Sequence, residues 1–205
     1  MDVNRIICGD ALSVLKTLPS DSVDLILTDP PYGLNIDYGK YIDTKENLVA
    51  LINSFIPEAR RVAKRVIVFP GVHNIWVYPP ADWTCCWFYG TTGSWGKYGY
   101  NAWQPLLAYG PNNRRYGMDT IKYSKLERRY PGHPCSKPLG LIQEVVKRFS
   151  EPSDLVLDPF LGSGTTAVAA KQLGRNYLGI EMNPEYVKIA EKRLAEVQEP
   201  LLSTY

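Results

Sequence analysis

The sequence is short of histidine: His73 and His133 are its two imidazoles among 205 residues. A mechanism built on an imidazole base held by a carboxylate is therefore not expected. Cysteine is sparse too. Cys8, Cys85, Cys86 and Cys135 form no CxxC pair, and adjacent cysteines such as Cys85 and Cys86 are awkward to bridge. No zinc or other metal site is expected from so few ligands, and the thiols read as reduced groups of a cytoplasmic protein. No apolar run approaches the ~20 residues that span a bilayer, so no membrane partner is expected. The N-terminus carries Asp2, Arg5 and Gly9-Asp10, which does not read as a signal peptide. A dominant charge is also missing. The 23 basic and 21 acidic residues leave a net charge of +2, so any site for a polyanion has to come from local clustering. Internal repeats and low-complexity segments are absent.

What is present is enough apolar material, 45% of 205 residues, for one well-buried core. A single domain over 1–205 is the expectation. The chain is organised around Asp158 to Glu181, which reads DPFLGSGTTAVAAKQLGRNYLGIE. The apolar run Leu155-Val156-Leu157 predicts a strand, Gly162-Ser163-Gly164 a turn, and Thr165 to Leu173 a helix that Gly174 stops. Tyr177 to Ile180 predicts a second strand ending at Glu181. In such a βαβ unit the glycines let the backbone approach a ligand closely, and the helix start offers N–H groups to an anion. An acid at the end of the second strand is placed for ribose hydroxyls. Gly162 to Ala167 also fits a dinucleotide fingerprint, so an NAD-dependent oxidoreductase is a competing reading. That reading expects a substrate domain beyond Glu181.

Further strands are predicted at Arg5–Cys8, Val23–Thr28 and Val66–Phe69, with helices over Ala11–Leu18 and Ile52–Val62. The run VDLILT is nearly all apolar, as a strand covered on both faces would be. It leads into Asp29-Pro30-Pro31-Tyr32-Gly33. Asp10, Asp29, Asp158 and Glu181 would then all lie at the carboxyl rim of one sheet, where open α/β sheets bind ligands. Two successive prolines remove two N–H donors, so this loop presents a carboxylate and carbonyls beside an aromatic ring. Methylation of an exocyclic amine suits such a surface. The amine lone pair is delocalised into the base. If Asp29 and the Pro30 carbonyl accept the two hydrogens, that lone pair is freed to attack a sulfonium methyl, by positioning and preorganised acceptors alone. Tyr32 offers a stacking face, and a base in a duplex has to be flipped out to arrive there.

The pair Asp29-Pro30-Pro31-Tyr32 and Asp158-Pro159-Phe160-Leu161-Gly162-Ser163-Gly164 resembles the catalytic and cofactor motifs of the S-adenosylmethionine-dependent DNA amino-methyltransferases. Catalytic before cofactor is the order of their beta class. His133-Pro134-Cys135-Ser136-Lys137-Pro138 resembles the family's His-Pro-x-x-Lys-Pro segment, which helps close the cofactor pocket, and Gly9-Asp10 the segment near the cofactor adenine. The resemblance implies a Rossmann-like methyltransferase α/β fold with circularly permuted motif order, its mostly parallel central sheet carrying an antiparallel terminal strand pair. It implies catalytic roles for Asp29, Pro30, Pro31 and Tyr32. It implies cofactor roles for Asp10, Lys137, Asp158, Phe160, Gly162, Ser163 and Gly164, for Thr165 and Thr166 at the methionine carboxylate, and for Glu181 at the ribose. A leading Asp in the catalytic motif favours adenine N6 over cytosine N4. RNA methylation and a non-catalytic DNA-binding module remain alternatives.

Trp83 to Tyr109 is rich in aromatics and glycine. Strands near Cys85–Tyr89 and Leu106–Tyr109 would supply the antiparallel pair. The intervening Trp95, Tyr98 and Tyr100 read either as loop and core or as a wall of the base pocket. Residues 111–132 hold Arg114, Arg115, Lys122, Lys125, Arg128 and Arg129 against Asp119 and Glu127, a local charge of +4. This segment stands where the family keeps its target-recognition region, so these six cations are the DNA-contact candidates. It is short for a self-contained recognition domain. Loose specificity, or a homodimer sharing the DNA, would follow. A helix over Leu139–Phe149 and a last helix capped by Asn183, with Pro184 at its first position, complete the reading.

Overall fold

The computed structural model describes residues 2–36, 41–90, 95–96, 99–111, 118–124 and 136–197. The chain runs β1 (Arg5–Cys8), α1 (Ala11–Thr17), β2 (Val23–Thr28), α2 (Lys45–Val62), β3 (Ala63–Val68), a 3-10 helix (Val72–Val77) and β4 (Trp83–Phe88). It continues with β5 (Trp95–Gly96), β6 (Gly99–Tyr100), β7 (Trp103–Tyr109), β8 (Thr120–Lys122) and α3 (Leu139–Phe149). It closes with β9 (Leu155–Asp158), α4 (Thr165–Gln172), β10 (Asn176–Glu181) and α5 (Pro184–Ala195).

Among the described residues eight strands form one sheet in the order β1-β10-β9-β2-β3-β7-β4-β8. β7 pairs antiparallel with both β3 and β4, and the other pairings are parallel. The antiparallel β4–β7 pair was expected to end the sheet. Instead β8 adds parallel to β4 outside it. β5 and β6 make a separate two-stranded ribbon.

Side chains alternate along each strand, so a sheet covered on both faces needs apolar residues at nearly every position. The central strands obey. Leu25, Leu27, Val156, Leu106 and Ala108 belong to one core cluster with α3, α4 and α5. Ile26, Leu155, Leu157, Leu107 and Tyr109 belong to the other, with α1 and α2. Among the described residues no helix is long and apolar enough to cross a membrane.

The order of strands also fixes where a ligand can sit. β9 and β2 are neighbours and parallel. The helix that follows β9 lies in one core layer, while the helix that follows β2 lies in the other. The two connections leave the sheet in opposite directions and open a crevice beyond the strands' carboxyl ends. The residues that end these strands or follow them directly are Asp158 and Asp29. α2 begins at Lys45, seven residues ahead of the predicted start, because Thr44 caps it by accepting from the Asn47 N–H at 3.2 Å. The first two turns then bury Leu48 on the same face as Ile52.

Candidate active site

A cavity of about 630 Å³ opens at this crevice. Asp29, Pro30, Pro31 and Tyr32, with Lys137 bonded to them, line it beyond β2, and Asp158, Phe160, Gly162, Ser163, Thr165, Thr166, Glu181 and Asp10 line it beyond β9, β10 and β1. The two motifs are joined directly: the Thr28 hydroxyl donates to Asp158 Oδ1 at 2.7 Å, and Thr28 is 1% exposed. The four rim acids of the sequence reading therefore share one cavity.

Each has its own surroundings. Asp158 is 5% exposed, and its partners are neutral donors: the hydroxyls of Thr28 and Thr166 and the Phe160 N–H at 3.1 Å. Burial outweighs these bonds and pushes its carboxyl up to about 6. Glu181 accepts from the N–H groups of Gly162 and Asn183, both at 2.8 Å, and so pins the glycine turn to the end of β10. Its carboxyl is also raised, by burial opposed by those backbone bonds. Asp10 caps α1, accepting from the N–H of Ser13 at 2.8 Å and its hydroxyl at 2.7 Å.

Asp29 is held differently. One carboxylate oxygen accepts from the Tyr32 hydroxyl and the other from the Lys137 ammonium. Lys137 also donates to the Tyr32 oxygen at 3.0 Å and stands 5.2 Å from the Phe69 ring centroid, with a side chain 12% exposed. Lys137, which the resemblance gives to the cofactor, lines the cavity and is ion-paired with Asp29 in the structure.

Gly164 does not line the cavity. It caps α4 with φ +85°, and a Cβ placed there would lie 2.7 Å from the Ala190 Cβ, so the position serves packing of α5 against the turn. The hydroxyls of Thr165 and Thr166 are engaged, the first with Arg193 and the second with Asp158. Tyr100 is exposed and is not among the cavity-lining residues. Tyr98 and the side chain of Trp95 fall outside the described residues, as do Arg114, Arg115, Lys125, Arg128, Arg129 and His133 to Cys135. Lys122 lies on β8 at the sheet's edge, exposed and away from the cavity.

Several residues that support the site escaped the sequence reading. Arg193 of α5 donates to the Ser163 carbonyl at 2.6 Å and to the hydroxyls of Ser163 and Thr165, both at 3.1 Å, clamping the glycine turn from behind. Asp43, 2% exposed, accepts from the N–H groups of Gly33, Leu34 and Ile36 at 2.6, 3.0 and 3.2 Å, folding the loop after Tyr32 back on itself. Asn74 donates to the Tyr32 carbonyl at 2.9 Å. The buried Tyr41 hydroxyl at the cavity wall has no hydrogen-bond partner among the described residues. An acid twelve residues past the proline pair was the one readable hint among these.

This constellation offers carboxylates for hydroxyl or ammonium groups, an apolar stretch at Leu12, Leu51 and Phe160 for a flat ring, and an acceptor-only loop at the far end. The donor set fits an aminoacyl nucleoside such as S-adenosylmethionine. Comparison with known proteins agrees. The profile of the DNA methylase family matches residues 71–192. The chain is 30% identical to the DNA adenine methyltransferase YhdJ of Escherichia coli K12, over 94% of this chain and 83% of that protein. It is 28% identical to the type II methyltransferase M.HinfI of Haemophilus influenzae, over 96% and 69% of the two chains. Among solved structures, the complex of M1.HpyAVI with SAM superposes with a TM-score of 0.68 at 26% identity, over 93% of this chain and 98% of that one. The cytosine-N4-specific PvuII DNA methyltransferase shares the fold, with a TM-score of 0.68 at 20% identity.

Proposed function

The chain belongs to the DNA methylase family, and from that premise we propose that it transfers a methyl group from S-adenosylmethionine to the N6 amine of adenine in DNA. The observation that carries this is the meeting of Asp29-Pro30-Pro31-Tyr32 and the glycine turn in one cavity, stitched by the Thr28–Asp158 bond. Bound S-adenosylmethionine supplies an electrophilic methyl on a sulfonium. Glu181 and Asp10 suit its ribose and adenine ends, and Asp158, a buried carboxylate with only neutral partners, suits its ammonium.

The chain's own residues do the rest. Tyr32 and Lys137 each hold one oxygen of Asp29, so the carboxylate is oriented before a base arrives and each oxygen keeps a lone pair for an amine hydrogen. The Pro30 carbonyl takes the second hydrogen. The nitrogen would become tetrahedral and bond to the methyl carbon as the carbon–sulfur bond breaks and the sulfonium leaves as a neutral thioether, and the surplus amine proton would then pass to Asp29 and solvent. Lys137 acts from the Asp29 side of the pocket and the Tyr32 ring receives the flipped base. Residues 1–205 act as one methyltransferase domain, with the basic 111–132 segment on the DNA and a second copy sharing it. A cytoplasmic protein meets both DNA and methyl donor.

Adenine is preferred to cytosine because an aspartate leads the catalytic motif and because a relative with high coverage bears an adenine methyltransferase name. Incubation with methyl-labelled cofactor and DNA, followed by nucleoside mass spectrometry, should give labelled N6-methyldeoxyadenosine. Label in N4-methyldeoxycytidine alone would reassign the base. Label in RNA alone would reassign the substrate.

A further inference from the structure

The 3-10 helix Val72–Val77 has no part in the reading above. It follows β3 and is bolted to the catalytic tyrosine. Asn74, 7% exposed, donates to the Tyr32 carbonyl at 2.9 Å, and a Cβ placed on Gly71 would lie 3.6 Å from the Tyr32 ring, so the start of the helix rests against that ring. A 3-10 helix has three residues per turn, so residues i and i+3 stand in register along it. Asn74 and Val77 make the inward ridge, while His73 and Trp76 make an outward one, both exposed.

Trp76 is 90% exposed, and among the described tryptophan side chains the next most exposed, Trp83, stands at 62%. An indole held out in water on a rigid short helix, two residues from an atom bonded to Tyr32, is placed to meet whatever presents itself to Tyr32. Leu34, 60% exposed, sits two residues from the same carbonyl on the other side and lines the cavity mouth. Leu34 thus sets an apolar side chain at the mouth, and Trp76 sets a second one on the helix anchored to the same tyrosine.

Resting on the reading that this cavity methylates a base in DNA, we propose that the His73–Trp76 ridge is the wedge that enters the duplex beside the target nucleotide. The Trp76 indole stacks in the space that the extruded base leaves, and His73 faces the adjoining strand. Extrusion costs unstacking and unpairing energy, and inserted apolar or aromatic side chains offset it by replacing the lost stack. The ridge is rigid relative to Tyr32, so insertion and delivery of the base to the tyrosine are one movement. No bond is made or broken in this step.

The test begins with the wild-type protein, whose methylated site in genomic DNA is mapped and then built into a duplex oligonucleotide and its single strand. Replacing a stacking aromatic by alanine costs about 10- to 100-fold per base contact, so Trp76→Ala should lower kcat/KM on the duplex by about that factor. Trp76→Phe should recover most of it. On the single strand, where there is no stack to replace, Trp76→Ala and wild type should converge. With 2-aminopurine at the target position, the fluorescence rise that marks extrusion should appear for wild type and shrink for Trp76→Ala. Affinity for S-adenosylhomocysteine should be equal in both, certifying an intact pocket.

Duplex activity of Trp76→Ala equal to wild type would overturn the wedge, as would an equal loss on both substrates. A dimer that Trp76→Ala dissolves would show that a second copy covers the indole instead. A wild-type protein that methylates no DNA would sink the methyltransferase reading itself, a different result from an active wild type with an indifferent Trp76.

Discussion

Asp158 makes a two-sided prediction. It is a buried carboxyl held by hydroxyls and one N–H, with no cation bonded to it among the described residues, and its pKa is pushed up to about 6 from an ordinary 3.8. The folded state therefore binds this proton more tightly than the unfolded chain. Its contribution to stability is fully present below the ordinary value and is lost as pH rises through the folded one. At 1.36 kcal/mol per tenfold change, that gap corresponds to about 3 kcal/mol, an upper figure for the ligand-free protein at pH 7. Asp158→Asn removes the charge and keeps an oxygen for Thr28 and Phe160. Urea denaturation between pH 4 and 8 should show the variant gaining on wild type across the window from about pH 4 to 6, reaching about 2 to 3 kcal/mol and then levelling. Binding should move the other way. A cationic ammonium needs the ionised carboxylate, so wild-type affinity for S-adenosylhomocysteine should rise through about pH 6, and Asp158→Asn should bind it weakly at every pH. A stability difference that stays flat with pH, or an asparagine variant that binds as tightly as wild type, would refute the argument. The position would then be an ordinary structural hydrogen bond.

Three further outcomes follow from named contacts. Lys137→Met removes a charge-assisted bond to Asp29 worth about 1.5 to 3 kcal/mol, so kcat should fall about 10- to 150-fold with S-adenosylhomocysteine affinity near wild type. If affinity collapses and kcat at saturation holds, the lysine belongs to the cofactor. Gly164→Ala forces a positive φ on a side chain that meets Ala190, and should cost about 2 to 4 kcal/mol in urea denaturation. Adding Ala190→Gly should return the steric part and not the backbone part. Arg193→Met frees the glycine turn from its clamp, and calorimetry should show roughly tenfold weaker S-adenosylhomocysteine binding, the loss of about 1.4 kcal/mol.

What could be read from the sequence was what is local. Leu139–Phe149 and Arg5–Cys8 have the predicted bounds because an amphipathic face and an apolar run are written in consecutive residues. The two motifs were legible because each packs its chemistry into a few positions. Contacts made across the chain left no mark. Thr28 meets Asp158 from 130 residues away, Arg193 reaches Ser163 across 30, and Lys137 finds Asp29 across 108. Nothing next to Lys137 announces that its partner is the carboxylate following β2, and the family resemblance gave it to the cofactor. The short β8 and the 3-10 helix were missed because Thr120–Lys122 and Val72–Val77 are too brief to establish a period.

The acceptor-only loop at Asp29-Pro30 bears on when the enzyme stops. On the proposed reading an unmodified adenine brings two amine hydrogens to two oxygens. Its methylated product keeps one, so either the Pro30 carbonyl loses its guest or Asp29 is left with Tyr32 and Lys137 alone, at a cost of about 1 to 3 kcal/mol. The product is thereby the poorer guest: it leaves readily, and a second methyl on the same nitrogen is disfavoured without any residue set aside to forbid it.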